Sequence, residues 1–185
     1  MPFIYHDFSA YLAFCTPSER PPAWCSNFPP SIYTHVQSKY WNVGFLRYWT
    51  LQQLPNFIIA APPLLLLFTF STYHFAQGFI PRLIVTHGNR KSISCPPQII
   101  SRGPFPFLSH TITPHVFHSI ILSTAILLAS HVQIILRLAA SMPLTYWAAA
   151  WLLHEYPRCG RWWVGWSVVW GAASVVLWGA FLPPA

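Results

Sequence analysis

Four long stretches of this chain carry no charge, and that pattern constrains its fold more than any other feature. No Asp, Glu, Lys or Arg occurs from Tyr48 to Pro81, from Gly103 to Leu136, from Leu138 to His154, or from Trp162 to Ala185. A bilayer-spanning helix needs about 20 mostly apolar residues. The Leu138–His154 stretch is marginal by that measure and the other three are long enough. Only 7% of the 185 residues are charged, against about 25% in a soluble domain. One such apolar helix fits a soluble core, but four in so short a chain do not. The sequence therefore predicts an all-α, polytopic helical membrane protein with three to four transmembrane helices.

The net charge of +7 does not indicate nucleic-acid binding. The basic residues are dispersed, with no run beyond Arg90-Lys91, and they lie between the apolar stretches, a pattern that reports topology. The start, Met1 to Cys15, carries Asp7 where a signal peptide would have Lys or Arg. It reads as the tail of a helix already under way, and the expectation is that the chain begins inside a longer protein. Cys15, Cys25, Cys95 and Cys159 form no C-x-x-C pair and no metal spacing. Cys15 and Cys25 share one loop; they can pair if that loop is lumenal, or remain thiols. No metal or cofactor is expected.

Along the chain, residues 1–55 form a Pro- and aromatic-rich segment at the lumenal membrane border. Five prolines between Pro17 and Pro30 forbid a continuous helix there. The proline-free Ile32–Leu54 stretch is expected to be helical, with Tyr33, Tyr40, Trp41, Tyr48 and Trp49 at headgroup level. A first span covers residues 56–80, with Pro62-Pro63 expected to kink it or delay its start. A basic cytosolic loop at 81–111 follows, then a second span at 112–136. A short spanning or re-entrant helix is expected at 138–155, and a last span at 162–182. Arg82, Arg90, Lys91, Arg102, Arg158 and Arg161 fall on one side of this scheme. Arg20, Lys39, Arg47 and Arg137 fall on the other, so six basic residues against four place the 81–111 loop in the cytosol.

Three features are more polar than their surroundings require. Tyr40-Trp41-Asn42-Val43-Gly44-Phe45-Leu46-Arg47-Tyr48 sets aromatics beside an amide and a guanidinium. Such a set can stack on a sugar and pair with a lipid-linked phosphate, or serve as an aromatic belt with snorkelling basic residues. His131-Val132-Gln133 with Arg137 places polar groups at the end of the second span. They suit either a cavity or hydrogen bonds between helices. The third is the scarcity of acids: only Asp7, Glu19 and Glu155 are present. An inverting glycosyl transfer needs a carboxylate to deprotonate the attacking hydroxyl, and none of the three stands in a setting that suggests a tuned base.

The blocks Pro22-Ala-Trp-Cys25, Pro30-Ser-Ile-Tyr-Thr-His-Val-Gln37 and Tyr40 to Tyr48 resemble a lumenal region of the GPI mannosyltransferase 2 family. The resemblance continues through Leu54-Pro-Asn-Phe57 and Ala60-Ala-Pro62. Further on it takes in His131-Val-Gln133, Leu136-Arg137, Ser141-Met-Pro143, Tyr146-Trp147 and Phe181-Leu-Pro183. It implies a GT-C type membrane glycosyltransferase, multi-pass in the endoplasmic reticulum. The reaction implied is α-1,6 transfer of the second mannose from dolichol-phosphate mannose to a GPI-precursor lipid. Tyr40, Trp41, Asn42 and Arg47 would border the substrate groove, with His131, Gln133 and Arg137 supporting it. The family's acidic catalytic motif has no counterpart in this sequence. The catalytic residues are therefore left unassigned, and a non-catalytic membrane subunit or fragment, acting with an accessory subunit, is the alternative.

Overall fold

The computed structural model describes residues 2–16, 21–88 and 106–180. Those residues are helical, with no strand among them. They fall into two compact units. One comprises Met1–Leu51 with Leu128–His131, and the other Gln52–Leu127 with Val132–Ala185.

The first unit contains α1 (Pro2–Phe14) and α2 (Ile32–Tyr40). Ser31 joins them, because its hydroxyl donates to Asp7 Oδ2 at 2.8 Å and accepts the Thr34 amide at 3.2 Å. The second bond is an N-cap, which satisfies one of the amides a helix start leaves unpaired. Cys15 and Cys25 form a disulfide with Cα atoms 5.8 Å apart, which settles the pairing the sequence left open. A short 3-10 turn at Ala23–Ser26 seats Trp24 in the interior. Glu19 and Arg20 lie outside the described residues.

The second unit is built on a helix apolar enough to cross a membrane over Leu51–Ile84. Its main part, α3 (Leu54–His74), buries Ala60, Pro63, Leu64, Leu67, Phe70, Ser71 and His74. That three-and-four spacing forms one stripe on a 3.6-residue helix. Of the two effects expected from Pro62-Pro63, the delayed start does not occur: the helix starts before both prolines and runs through them. A proline lacks the N–H that would bond four residues back, so the Ile58 and Ile59 carbonyls lose their usual donors while the buried stripe continues. A π-turn over Phe75–Phe79 follows, in which the Ile80 amide reaches Phe75 O. It leads into α4 (Ile80–Gly88). The helix therefore extends into the region expected to be the 81–111 loop; Arg90, Lys91 and Arg102 lie outside the described residues.

Two 3-10 turns, Pro106–Leu108 and His110–Ile112, lead into α5 (Thr113–Ala129), the second helix long and apolar enough to span. The continuous 112–136 helix expected from the sequence is interrupted. The ladder stops at Ala129, and a 3-10 turn at Val132–Ile134 precedes α6 (Ile135–Ser141). The Leu128 carbonyl accepts the Leu46 amide at 2.7 Å rather than the amide four residues ahead. The 138–155 region is likewise two helices. Met142 is extended at φ −86°, ψ 119°, and Pro143 opens α7 (Pro143–Glu155), as proline favours the first position of a helix.

Next, α8 (Pro157–Gly179) folds back on α7 around Tyr156. Gly160 permits the approach: a Cβ on it would lie 2.7 Å from Leu153 Cα. Trp151 of α7 meets Phe70 and Tyr73 of α3 at ring-centroid distances of 5.6 and 4.9 Å. Most of α8 beyond this joint is exposed and apolar, including Val168, Val169, Val175 and Val176.

Candidate functional site

The expected Ile32–Leu54 helix ends at Tyr40, and the polar-aromatic block beyond it is a compact loop. The Val43 amide bonds to Gln37 O at 3.0 Å, which closes α2. Asn42 takes a left-handed conformation at φ 50°, which asparagine tolerates better than most side chains. Leu46 is also left-handed at φ 56°, a conformation that costs an ordinary L-residue about 1–2 kcal/mol. It is held there by the bond from its amide to Leu128 O at 2.7 Å. Periodicity gives no warning of such a turn, because the tie comes from a residue 82 positions away.

Arg47 folds back across this loop. Its side chain lies over Gly44, where a Cβ would meet Arg47 Cδ at 2.8 Å, and its Nη1 donates to Ser38 O at 3.3 Å. The guanidinium thus sits at the carbonyl end of α2, where the helix dipole favours positive charge. Lys39 lies nearby, with Nζ 5.7 Å from the Tyr40 ring centre. Tyr40, Trp41 and Asn42 are exposed, with Trp41 at 61%.

His131 fixes the loop from the other end. Its Nε2 is 2.9 Å from Trp41 O. A carbonyl can only accept, so Nε2 carries the proton. The ring also packs on the buried Tyr48, with centroids 4.7 Å apart. Tyr40, Trp41, Asn42, Arg47 and His131 are therefore all placed in one unit. Gln133, half-buried in the 3-10 turn Val132–Ile134, and Arg137, exposed on α6, belong to the other. His131 supports the Trp41 backbone and leaves the indole presented outward. The result is a shelf of exposed rings and an amide beside a guanidinium. That chemistry suits stacking on a sugar face and pairing with a phosphate.

Two further polar groups stand out. Asp7, an acid to which the sequence assigned no role, lines a cleft of about 470 Å³ with Phe8, Tyr11 and Thr34. His74 is the other. It is fully buried, with Nδ1 3.1 Å from Phe107 O and Nε2 3.0 Å from Thr113 Oγ1. Its signal was the presence of an imidazole within the charge-free Tyr48–Pro81 stretch. Of the acids, Asp7 is bonded to Ser31, and Glu155 Oε1 lies 3.1 Å from His154 Nδ1.

A family model described as Mannosyltransferase (PIG-V) matches residues 1–185. The chain belongs to the PIG-V mannosyltransferase family. It is 36% identical over 204 residues to GPI mannosyltransferase 2 of Cryptococcus neoformans, covering 100% of this chain and 44% of that protein. The corresponding Yarrowia lipolytica protein is 35% identical over 183 residues, covering 99% of this chain and 40% of its own length. Human GPI alpha-1,6-mannosyltransferase 2 is 34% identical over 182 residues, covering 84% and 35%. The chain thus spans less than half the length of these PIG-V relatives and matches their C-terminal part. No solved structure matches it.

Proposed function

We propose that this chain contributes to α-1,6 transfer of the second mannose from dolichol-phosphate mannose to a GPI-precursor lipid at the endoplasmic-reticulum membrane. The observation that carries the reading is the match of the whole chain, at 36% identity, to a relative named GPI mannosyltransferase 2. The exposed shelf of Tyr40, Trp41 and Asn42, with Arg47 beside it, supports it, because both substrates join a sugar to a phosphate and a lipid. His131 orients the shelf, and the supporting roles of Gln133 and Arg137 rest on the family resemblance alone. The Cys15–Cys25 disulfide supports a lumenal position for residues 1–55, since disulfides persist in oxidising compartments.

The alternative is a non-catalytic membrane piece that works with an accessory subunit. The described acids favour it because neither stands among the shelf residues: Glu155 lies against His154, and Asp7 accepts from Ser31 at Oδ2 while its buried Oδ1 has no partner among the described residues. Complementation separates the two readings. The 185-residue chain is expressed in cells depleted of their second GPI mannosyltransferase, its insertion is confirmed, and surface GPI-anchored protein is measured. Rescue places the catalytic groups within these residues. A stably inserted chain with accumulating one-mannose precursor makes it a binding piece that needs a catalytic partner. In a full-length relative, alanine at the residues matching Trp41, Asn42 and Arg137 is expected to lower GPI synthesis, and unchanged synthesis would remove the roles assigned to them.

A further inference from the structure

We infer that the second unit carries a site for an anionic phospholipid, in the cleft between the π-turn–α4 segment and the start of α5. The cleft measures about 540 Å³. Its walls are apolar and aromatic, with Phe79 and Leu83 on one side and Phe117 on the other, and Arg82, His110 and Thr113 supply its polar lining. Arg82 in α4 is the first charge after the charge-free Tyr48–Pro81 stretch, where a spanning helix would meet headgroups. A guanidinium above an apolar wall at that level fits a lipid that pairs a phosphate head with hydrocarbon tails, as basic pockets between transmembrane helices do.

The two walls are held together before any lipid arrives. Arg82 Nη2 donates to Leu108 O at 2.7 Å, which sets the guanidinium over the cleft. His74 lies against Phe107 O at 3.1 Å and Thr113 Oγ1 at 3.0 Å. Buried Gly78 leaves contact distance to Leu108, whose Cδ2 would be 3.4 Å from an added Cβ. Phe117 packs edge-on against Phe75 and Phe79 at centroid distances of 5.0 and 5.5 Å. A cleft fixed at this many points costs little ordering on binding.

The lining also selects among phosphate-bearing lipids. Among the described residues it has no carboxylate, no amide and no tryptophan with which to recognise sugar hydroxyls. A sugar-carrying polyprenyl phosphate would therefore gain nothing there from its sugar. The inference is independent of the donor and acceptor chemistry proposed above.

The test uses the inserted, purified chain. A photoactivatable phosphatidylserine is expected to label the peptides carrying Phe79–Leu83 and His110–Phe117, and phosphatidylcholine of the same acyl chains is expected to label them less. Native mass spectrometry should show a preference for phosphatidylserine of about fivefold, the scale of one basic residue at a membrane surface. Arg82→Gln should abolish the preference and Arg82→Lys should keep most of it. Arg158→Gln, altering an exposed arginine elsewhere in the unit, should leave it intact. Equal binding of both lipids, labelling elsewhere, or a preference that survives Arg82→Gln would overturn the site. So would tighter binding of a mannosylated polyprenyl phosphate than of phosphatidylserine.

Discussion

Gly160 offers a sharp test of how α7 and α8 hold together. A methyl group at this position would lie 2.7 Å from Leu153 Cα, 2.8 Å from its Cδ2 and 3.0 Å from its Cγ. The shortest of these is some 0.7 Å inside ordinary contact distance (3.4 Å), and the atom it meets is backbone, which cannot rotate away. Relief requires the two helices to separate, and overpacking of this kind costs about 1–3 kcal/mol. Replacing glycine by alanine in a helix returns about 1 kcal/mol of intrinsic propensity. Gly160→Ala should therefore be destabilising by up to about 2 kcal/mol. Gly165 and Gly171 lie on the same helix with nothing within 4 Å of the added atom. Alanine there should be neutral or stabilising by up to about 1 kcal/mol. The assay is unfolding of the detergent-solubilised chain with denaturing detergent, followed by tryptophan fluorescence. If Gly160→Ala and Gly165→Ala shift the midpoint in the same direction and by the same amount, close backbone approach does not fasten this helix pair.

Further outcomes follow from the 41–50 loop and from the Cys15–Cys25 disulfide. Leu46→Gly should raise the resistance of the first unit to denaturant by up to about 1 kcal/mol, because glycine accepts a left-handed backbone without strain; Asn42→Val should lower it. His131→Ala removes both the bond to Trp41 O and the packing on Tyr48, so hydrogen exchange of the Trp41–Tyr48 amides should accelerate at least tenfold, the effect of losing about 1.4 kcal/mol of local stability; exchange rates equal to those of the unaltered chain would deny His131 its fastening role. Cys15→Ser with Cys25→Ser should destabilise the same unit by about 2–3 kcal/mol, as expected for a short closed loop, and should abolish the mobility shift between reducing and non-reducing gels.

Gaps in charge are visible in a sequence because lipid tolerates so few ions, and the long helix through α3 and much of α5 were legible on that ground. The grouping of Tyr40, Trp41, Asn42 and Arg47 was legible as well, since they are neighbours in the chain. Less visible was everything fixed by a bond between distant residues. The loop at 41–50 looked helical because it contains no proline, yet Leu46 and Leu128 pair their backbones there. The same pairing ends α5 at Ala129, in a stretch with neither glycine nor proline to mark a break. Pro62 and Pro63 mislead in the opposite direction. Local chemistry argued for a kink or a late start; the late start does not occur, because the buried stripe from Ala60 to His74 carries the helix through them.

The π-turn at Phe75–Phe79 has a consequence for how this helix tolerates change in length. A π-turn is one residue more than a regular turn requires, and each residue of an α-helix advances the side chains by about 100°. Because that residue is surplus to the turn, deleting one residue between Phe75 and Phe79 would let the helix run on as a regular spiral with the bearing of α4 nearly kept. Deleting one residue from the regular part of α3 would instead turn everything beyond it by about that angle, and Arg82 would leave Leu108. The π-turn is thus a place where this helix can lose a residue without misaiming its end.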